Sequence, residues 1–193
     1  MEAKLIDTTR LVEIRWHGRG GQGAVTSAEL LAQAAINEGK NAQAFPLFGM
    51  ERRGAPVQAF DRIDPNEPVR MRGEVLEPDV VVVLDPTLMN IINVTAGLKQ
   101  KGLLIINTSK GIDGFEAEFG AKYQMATVDA SRIARDLLGV NIVNTTMLGA
   151  LLRSVAVVDI ESLVKPLEKR FERLAERNIN AMRRAHEETV VKE

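Results

Sequence analysis

The chain has 193 residues, of which 45% are hydrophobic and 26% are charged, so it can bury the core of one globular domain. Its 25 lysines and arginines nearly balance 26 aspartates and glutamates, and the net charge of -1 gives no general attraction to nucleic acid or an anionic membrane. Cysteine is absent, which excludes disulfides, cysteine nucleophiles and zinc or iron–sulfur sites built from thiolates of this chain.

The apolar segments are too short to predict a leader peptide or a membrane span. Residues 1–10 are interrupted by charges, and no later apolar run approaches the roughly 18 residues that a bilayer requires. We therefore expect a cytoplasmic protein with neither membrane nor nucleic acid as a partner. Residues 1–193 are expected to form a single domain.

The first unit of the chain predicts a strand, a glycine loop and a helix. Apolar residues from Leu11 to Trp16 form the strand candidate, and apolar positions from Ala24 to Glu38 recur every three or four residues, which is the helical period. Between them four glycines in six positions interrupt regular structure. This glycine loop reads His17-Gly18-Arg19-Gly20-Gly21-Gln22-Gly23.

Strand and helix patterns alternate along the rest of the chain. Short apolar runs predict strands at Asn41–Phe45, Val57–Ile63, Val80–Leu84, Leu103–Ile106 and Tyr123–Val128. Helices are expected at Ser131–Leu138, at Asn144–Val157 and, as one long amphipathic C-terminal helix, at about 160–190. This alternation indicates an α/β domain with three layers, α/β/α, and a largely parallel, Rossmann-like sheet.

The spacing Gly18-x-Gly20-x-x-Gly23 matches the dinucleotide-binding fingerprint, in the required place between a strand and a helix. NAD binding also calls for an acidic residue about 20 positions later, at the end of the second strand. That strand ends here at Phe45-Pro46, whereas Glu38 falls at the end of the preceding helix. Three readings stay open: an anion site on backbone amides, a dinucleotide site, or a turn that only permits close packing.

A second candidate site lies between prolines 46 and 56. Glu51-Arg52-Arg53-Gly54 places two guanidinium groups beside a carboxylate in a long loop. Arginine pairs in a bidentate way with phosphates and carboxylates, so this loop could supply a local anion site. The alternatives are an internal ion pair between Glu51 and one of the arginines, or a solvated loop face that contributes little energy.

Taken together, the two loops resemble the gamma subunits of pyruvate and related 2-oxoacid:ferredoxin oxidoreductases. The resemblance is carried by Gly18 to Thr26 and by Phe45 to Phe60, and continues more loosely through Asp85-Pro86 and Asn144-Thr145. It implies a complex, with pyruvate the expected substrate, that decarboxylates a 2-oxoacid on thiamine diphosphate and Mg, reduces ferredoxin through iron–sulfur clusters, and acylates coenzyme A.

The resemblance further implies that alpha, beta and delta subunits hold those cofactors, and that this chain binds none of them alone. No catalytic residue and no metal ligand is expected here. The expected contribution is to the coenzyme A site and to the wall of the active site. The residues expected to face the anion are Gly18, Arg19, Gly20, Gly21, Gln22, Gly23, Glu51, Arg52 and Arg53. A branched-chain 2-oxoacid enzyme and a stand-alone nucleotide-binding protein remain alternatives.

Three further polar residues border the expected ligand edge of the sheet. His17 adjoins the glycine loop, and a structural hydrogen bond is favoured over a proton-donating role. Asp85 and Asn107 end two buried strands, where each could cap the following backbone or contact a ligand.

Overall fold

The computed structural model describes residues 5–47, 54–120 and 122–192, and its seven strands form one sheet in the order β2-β3-β1-β4-β5-β6-β7. The strands are β1 (Val12–Arg19), β2 (Asn41–Leu47), β3 (Pro56–Asp64), β4 (Val80–Val83), β5 (Leu103–Asn107), β6 (Gln124–Val128) and β7 (Val190–Lys192).

The centre of the sheet is parallel: β1 pairs with β4, β4 with β5, and β5 with β6. The residues of β4 and β5 are buried throughout, because both faces of these strands are covered. The predicted α/β class and largely parallel core are therefore confirmed. Two strands run the other way, since β3 pairs antiparallel with β1 and β2, and β7 pairs antiparallel with β6.

One face of the sheet is covered by helices, which share a single hydrophobic core with it. The helices are α1 (Ala24–Asn37), α2 (Asp113–Phe115), α3 (Ala130–Leu138), α4 (Asn144–Ser154), α5 (Val164–Phe171) and α6 (Ala175–Glu188). Gly149 lets α4 and α6 approach closely, because a Cβ at this position would lie 2.0 Å from the carbonyl oxygen of Met182. Of the six helices, α2 lies outside this layer.

The opposite face is covered by connecting segments rather than by long helices. The 3-10 turn Pro86–Asn90, residues 91–102, and α2 with the π turn Glu116–Gly120 lie over β4, β5 and β6. Leu88, Val94 and Leu98 from these segments pack against Val81, Val83 and Ile106. The third layer of the predicted three-layer architecture is thus built from turns.

The predicted C-terminal helix is present as a helical stretch from Ile160 to Glu188, but it is segmented. It consists of a 3-10 turn Ile160–Leu163, α5, a second 3-10 turn Glu172–Leu174, and α6. The interruption falls at Glu172, whose φ of 46° is incompatible with a continuous α-helix. Within the described ranges, no helix is both long and apolar enough to cross a bilayer.

Candidate functional site

The glycine loop is shorter than its sequence predicted, because β1 continues through Arg19. Gly18 is therefore a strand residue, paired with Val57 of β3. A Cβ at Gly18 would lie 3.3 Å from the Cβ of Ala24, so glycine here allows the start of α1 to pack closely on β1. The turn proper comprises residues 20–23.

Gly23, at the start of α1, is held in a left-handed conformation with φ 88°. A Cβ there would lie 2.8 Å from the Cβ of Asn144, closer than two such atoms normally approach. Ser27 strengthens the same contact, since its Oγ donates at 3.1 Å to the Gly23 carbonyl and at 3.2 Å to the Asn144 carbonyl. Packing between α1 and α4 therefore accounts for the glycine at position 23.

The glycine loop and the start of β3 are joined by their backbones. Gly20 N–H donates to the Ala55 carbonyl at 2.9 Å, and Gly54 N–H donates to the Gly20 carbonyl at 3.1 Å. Glu51, Arg52 and Arg53 lie outside the described residues. The two segments that the sequence singled out therefore meet, at least at Gly54 and Ala55.

The backbone amides of the turn divide into two groups. The N–H groups of Gly20 and Gln22 are occupied, the latter by the Arg19 carbonyl at 2.9 Å. Those of Gly21 and Gly23 meet no acceptor within the described part of the chain, and no side chain caps α1. An anion at this helix N-terminus would thus meet N–H groups that are not already engaged with described groups.

The side chain of Arg19 is committed to protein groups. Its Nε donates to Asp85 Oδ2 at 2.9 Å, its Nη2 to Thr87 Oγ1 at 2.8 Å, and its Nη1 to the Gly54 carbonyl at 3.1 Å. Gln22 completes the arrangement, because its Oε1 accepts from Arg19 N–H at 2.7 Å and its Nε2 donates to Asp85 at 3.0 Å. These two side chains fix the shape of the turn.

Asp85 is the acceptor at the centre of this network. Burial alone would raise the pKa of its carboxyl group, but hydrogen bonds from Thr87, Gln22 and Arg19 outweigh that effect and hold the pKa below its usual value. Asp85 also caps the 3-10 turn that follows β4, since its Oδ1 accepts from Thr87 N–H. The capping alternative predicted for Asp85 is thus observed, together with an ion pair that the sequence did not indicate.

A cleft of about 520 Å³ opens at the carboxyl ends of β4, β5 and β6, next to this network. It shares Thr87 with the contacts of Arg19, and its lining carries two cations, Lys110 and Arg135, together with the carboxylates of Glu118 and Asp129. Asn107 shapes one wall, donating at 2.8 Å to the Leu84 carbonyl and at 2.9 Å to Ser131 Oγ. Sequence reasoning placed ligands at this edge but missed both cations, because neither belongs to a motif.

His17 lies on the face of the sheet away from the helices and is almost fully buried. Its Nε2 accepts a 3.1 Å hydrogen bond from Arg15 Nε, while its Nδ1 has no partner among the described residues. Burial, followed by the positive charge of Arg15, lowers the pKa of His17 to about 3. The imidazole is therefore neutral at physiological pH, in agreement with the favoured structural role.

Glu38 takes no part in the glycine-loop region. It ends α1, where it pairs with Lys40 at 2.7 Å and accepts from Asp159 N–H at 2.6 Å. The antiparallel strand β3 also separates β2 from β1. A dinucleotide-binding unit would place the second strand beside the first. Within the described residues, no acidic side chain occupies the position at the end of the second strand that NAD requires.

Comparison with known proteins gives consistent matches over nearly the whole chain. A family model described as pyruvate ferredoxin/flavodoxin oxidoreductase matches residues 13–188. The pyruvate/ketoisovalerate oxidoreductases common subunit gamma of Pyrococcus furiosus is 50% identical over 94% of this chain and 98% of its own. Pyruvate synthase subunit PorC of Methanothermobacter thermautotrophicus is 49% identical over 92% and 96%. The crystal structure of pyruvate oxidoreductase subunit PORC from Thermotoga maritima superposes with a TM-score of 0.84, at 40% identity, covering 95% of this chain and 99% of that one.

Proposed function

This chain belongs to the pyruvate ferredoxin/flavodoxin oxidoreductase family, and we propose that it is the gamma subunit of a multi-subunit pyruvate:ferredoxin oxidoreductase. The observation that carries this proposal is the end-to-end match, at about half the residues identical, with relatives that are themselves named gamma subunits or PorC. Residues 1–193 would act as one gamma-type domain of a cytoplasmic complex. The complex would oxidatively decarboxylate a 2-oxoacid, reduce ferredoxin and form an acyl thioester of coenzyme A.

The proposal assigns the redox and decarboxylation chemistry to the other chains. Iron–sulfur clusters require thiolate ligands, which a sequence without cysteine cannot supply. Thiamine diphosphate with Mg belongs on partner subunits for a similar reason, since the Gly-Asp-Gly pattern with a downstream asparagine is absent from the sequence. Alpha, beta and delta subunits would therefore carry these groups, with ferredoxin as the electron acceptor.

For this chain we propose a role in binding the phosphates of coenzyme A. The amides of Gly21 and Gly23, which meet no acceptor among the described residues, lie at the N-terminus of α1, which favours a negative charge. Gly54 is hydrogen-bonded to Gly20, and in the sequence it directly follows Arg52 and Arg53.

The coenzyme A role is tested by replacing Arg52 and Arg53 with alanine in the assembled complex. The KM for coenzyme A is expected to rise, because two phosphate-pairing cations are lost, while the KM for the 2-oxoacid stays the same. Arg70→Ala/Arg72→Ala removes two exposed cations elsewhere and serves as the matched control. An unchanged KM for coenzyme A in a fully assembled Arg52/Arg53 variant would exclude this role.

A second candidate substrate is 2-ketoisovalerate. The Pyrococcus relative is named as a gamma subunit common to pyruvate and ketoisovalerate oxidoreductases, and its identity to this chain is nearly the same as that of a pyruvate synthase subunit. We propose that the gamma chain itself leaves the choice of 2-oxoacid to other subunits. Assaying the purified complex with both 2-oxoacids would identify the substrate, and exchanging gamma chains between two such complexes should not alter it.

Independent NAD binding is the remaining alternative. The position of Glu38 and the separation of β1 from β2 both argue against it. Calorimetric titration of the purified chain with NAD provides the direct test. Tight binding by the isolated chain would favour a stand-alone nucleotide-binding protein over a subunit.

A further inference from the structure

A groove between α1 and α5 lies outside the site described above. It consists of two adjoining clefts, of about 220 and 350 Å³, which share Gln33 of α1 with Pro166 and Lys169 of α5. We call it the basic groove, and its full lining is Thr26, Glu29, Leu30, Gln33, Ile36, Asn37, Lys165, Pro166, Lys169 and Arg170.

Positive charge dominates the basic groove. Lys165, Lys169 and Arg170 line it, against the single carboxylate of Glu29. All four side chains belong to exposed residues, and the ion pairs found among the described residues include none of them. This local excess contrasts with the net charge of -1 for the whole chain. The groove can therefore attract a negatively charged partner without first breaking an internal ion pair.

The groove also has an apolar component. Leu30 and Pro166 are buried in its lining, while Ile36 at one end exposes 55% of its surface. An exposed isoleucine beside a row of cations is a poor environment for a small, strongly hydrated anion. It suits a ligand that carries both carboxylates and an apolar side chain.

The spacing of the cations points to a helical ligand. Lys165 and Lys169 are four residues apart on α5, so they lie on one side of that helix, separated by about 6 Å along its axis. Carboxylates four residues apart on a second helix have the same spacing. A helix laid along the groove could therefore pair with both lysines and place an apolar residue on Ile36.

Most of the apolar stripe of the C-terminal stretch is not available as an alternative surface, and Leu174, which exposes 47% of its surface, does not line the groove. Leu163, Leu167 and Ile179 are buried in the core that this chain forms with its own sheet. On the side of α5 that lines the groove, a partner would therefore meet mainly cationic side chains. Any partner that binds there must recognise positive charge.

We propose that the basic groove docks an acidic, amphipathic helix belonging to another subunit of the same complex. The proposal rests on the proposed function, since it requires partner subunits. It commits to a protein ligand, because two lysines four residues apart with an apolar contact beside them fit a helix. The charged side chains of the groove belong to exposed residues and do not form a buried anion cradle.

The first test maps the groove in the intact complex by carbodiimide crosslinking, which joins lysine amines to carboxylates in contact. Lys165 and Lys169 are expected to crosslink to aspartates or glutamates of one partner helix. On assembly, both lysines should also lose reactivity toward an acetylating reagent, whereas exposed Lys122 should not. Protection by inorganic phosphate alone, or equal reactivity in the free chain and the complex, would overturn the proposal.

The second test is charge reversal in the co-expressed complex. Lys165→Glu/Lys169→Glu is expected to weaken association of this chain about tenfold or more, with the wild-type affinity itself falling as salt is raised. Arg173→Glu/Arg177→Glu is the matched control, because these exposed arginines are also four residues apart and make the same change in net charge. Circular dichroism confirms that both variants fold.

The outcomes separate this inference from the function on which it rests. If wild-type chain fails to assemble with any partner, the subunit assignment fails. If wild type assembles and Lys165→Glu/Lys169→Glu assembles equally well, only the groove proposal fails. Equal weakening by the Arg173/Arg177 control would show a general charge effect and would also overturn it.

Discussion

The indole Nε1 of Trp16 in β1 donates a 2.7 Å hydrogen bond to Asp61 Oδ2 in the neighbouring strand β3. Both side chains are buried beneath the helical layer, and Asp61 Oδ1 has no partner within the described residues. Burial raises the pKa of Asp61 well above its usual value, and the Trp16 hydrogen bond only partly opposes this. The fold therefore favours the neutral acid.

This relationship predicts how the stability of the Asp61→Asn variant changes with pH. Because the native pKa is raised, the stabilising contribution of Asp61 is complete below the unfolded pKa of about 3.9 and is lost as pH rises through the native pKa. Asparagine keeps an acceptor for Trp16 and does not ionise. In urea unfolding, the free energy of unfolding of the variant should rise relative to that of wild type by up to about 1.4 kcal/mol per pH unit between the unfolded and the native pKa of Asp61. If the stabilities of wild type and Asp61→Asn changed with pH in parallel, Asp61 would not be a neutral acid in the native state.

His17 predicts the opposite change of stability with pH. Its native pKa of about 3 lies below the ordinary value of 6.5, so the unfolded chain takes up a proton first as the pH falls. Wild type should therefore lose stability from about pH 6.5 downward, by roughly 5 kcal/mol in total at about 1.4 kcal/mol per tenfold change in proton affinity. His17→Gln retains an acceptor for Arg15 and should be free of this loss. Urea unfolding at pH 7 and pH 5 measures whether the gap between the two proteins narrows.

Two glycines with similar backbone angles predict different costs for the same substitution. Gly23 and Gly39 have φ of 88° and 82°, but a Cβ at Gly23 would meet Asn144, whereas a Cβ at Gly39 would meet nothing within 4 Å. Gly39→Ala should cost about 1 kcal/mol of backbone strain, and Gly23→Ala about 3 kcal/mol or more because overpacking is added. Thermal unfolding of the two variants would show equal losses if the contact between α1 and α4 were unimportant.

The buried elements of the fold could be predicted because their sequence patterns have one physical explanation. Four consecutive valines form β4, and an unbroken apolar run forms β5, as expected for parallel strands covered on both faces. The predicted helix at Ser131–Leu138 is observed as α3, which is capped by Asp129 through a hydrogen bond from Arg132 N–H. The antiparallel position of β3 between β2 and β1 was not predictable. Strand periodicity reports which face is buried but not which neighbour is chosen.

For the site, the sequence predicted the turn but not the contacts of its side chains. Gly20 and Gly54 are 34 residues apart, and their meeting could be expected only from the resemblance of both segments to one family. Arg19 was interpreted as a ligand-binding residue, yet its guanidinium is held by Asp85, 66 residues later. Such long-range partners leave no periodic signal, because they depend on where β4 ends relative to β1.

Because Arg19 is hydrogen-bonded to three protein groups, the substitution Arg19→Lys is expected to destabilise the turn locally. A lysine keeps the charge, but its three donors share one nitrogen, whereas Arg19 reaches Asp85, Thr87 and the Gly54 carbonyl from three separate nitrogens of the planar guanidinium. The turn should then open more often, and hydrogen exchange at the Gly20 and Gly54 amides should speed up about tenfold, which corresponds to about 1.4 kcal/mol. Arg132→Lys is the control, since Arg132 pairs with Asp136 within α3 and with Glu188 of α6, and its replacement should leave these two amides unaffected. Unchanged protection of Gly20 and Gly54 in Arg19→Lys would mean that the backbone hydrogen bonds alone maintain the turn, and that Arg19 is free to serve a ligand.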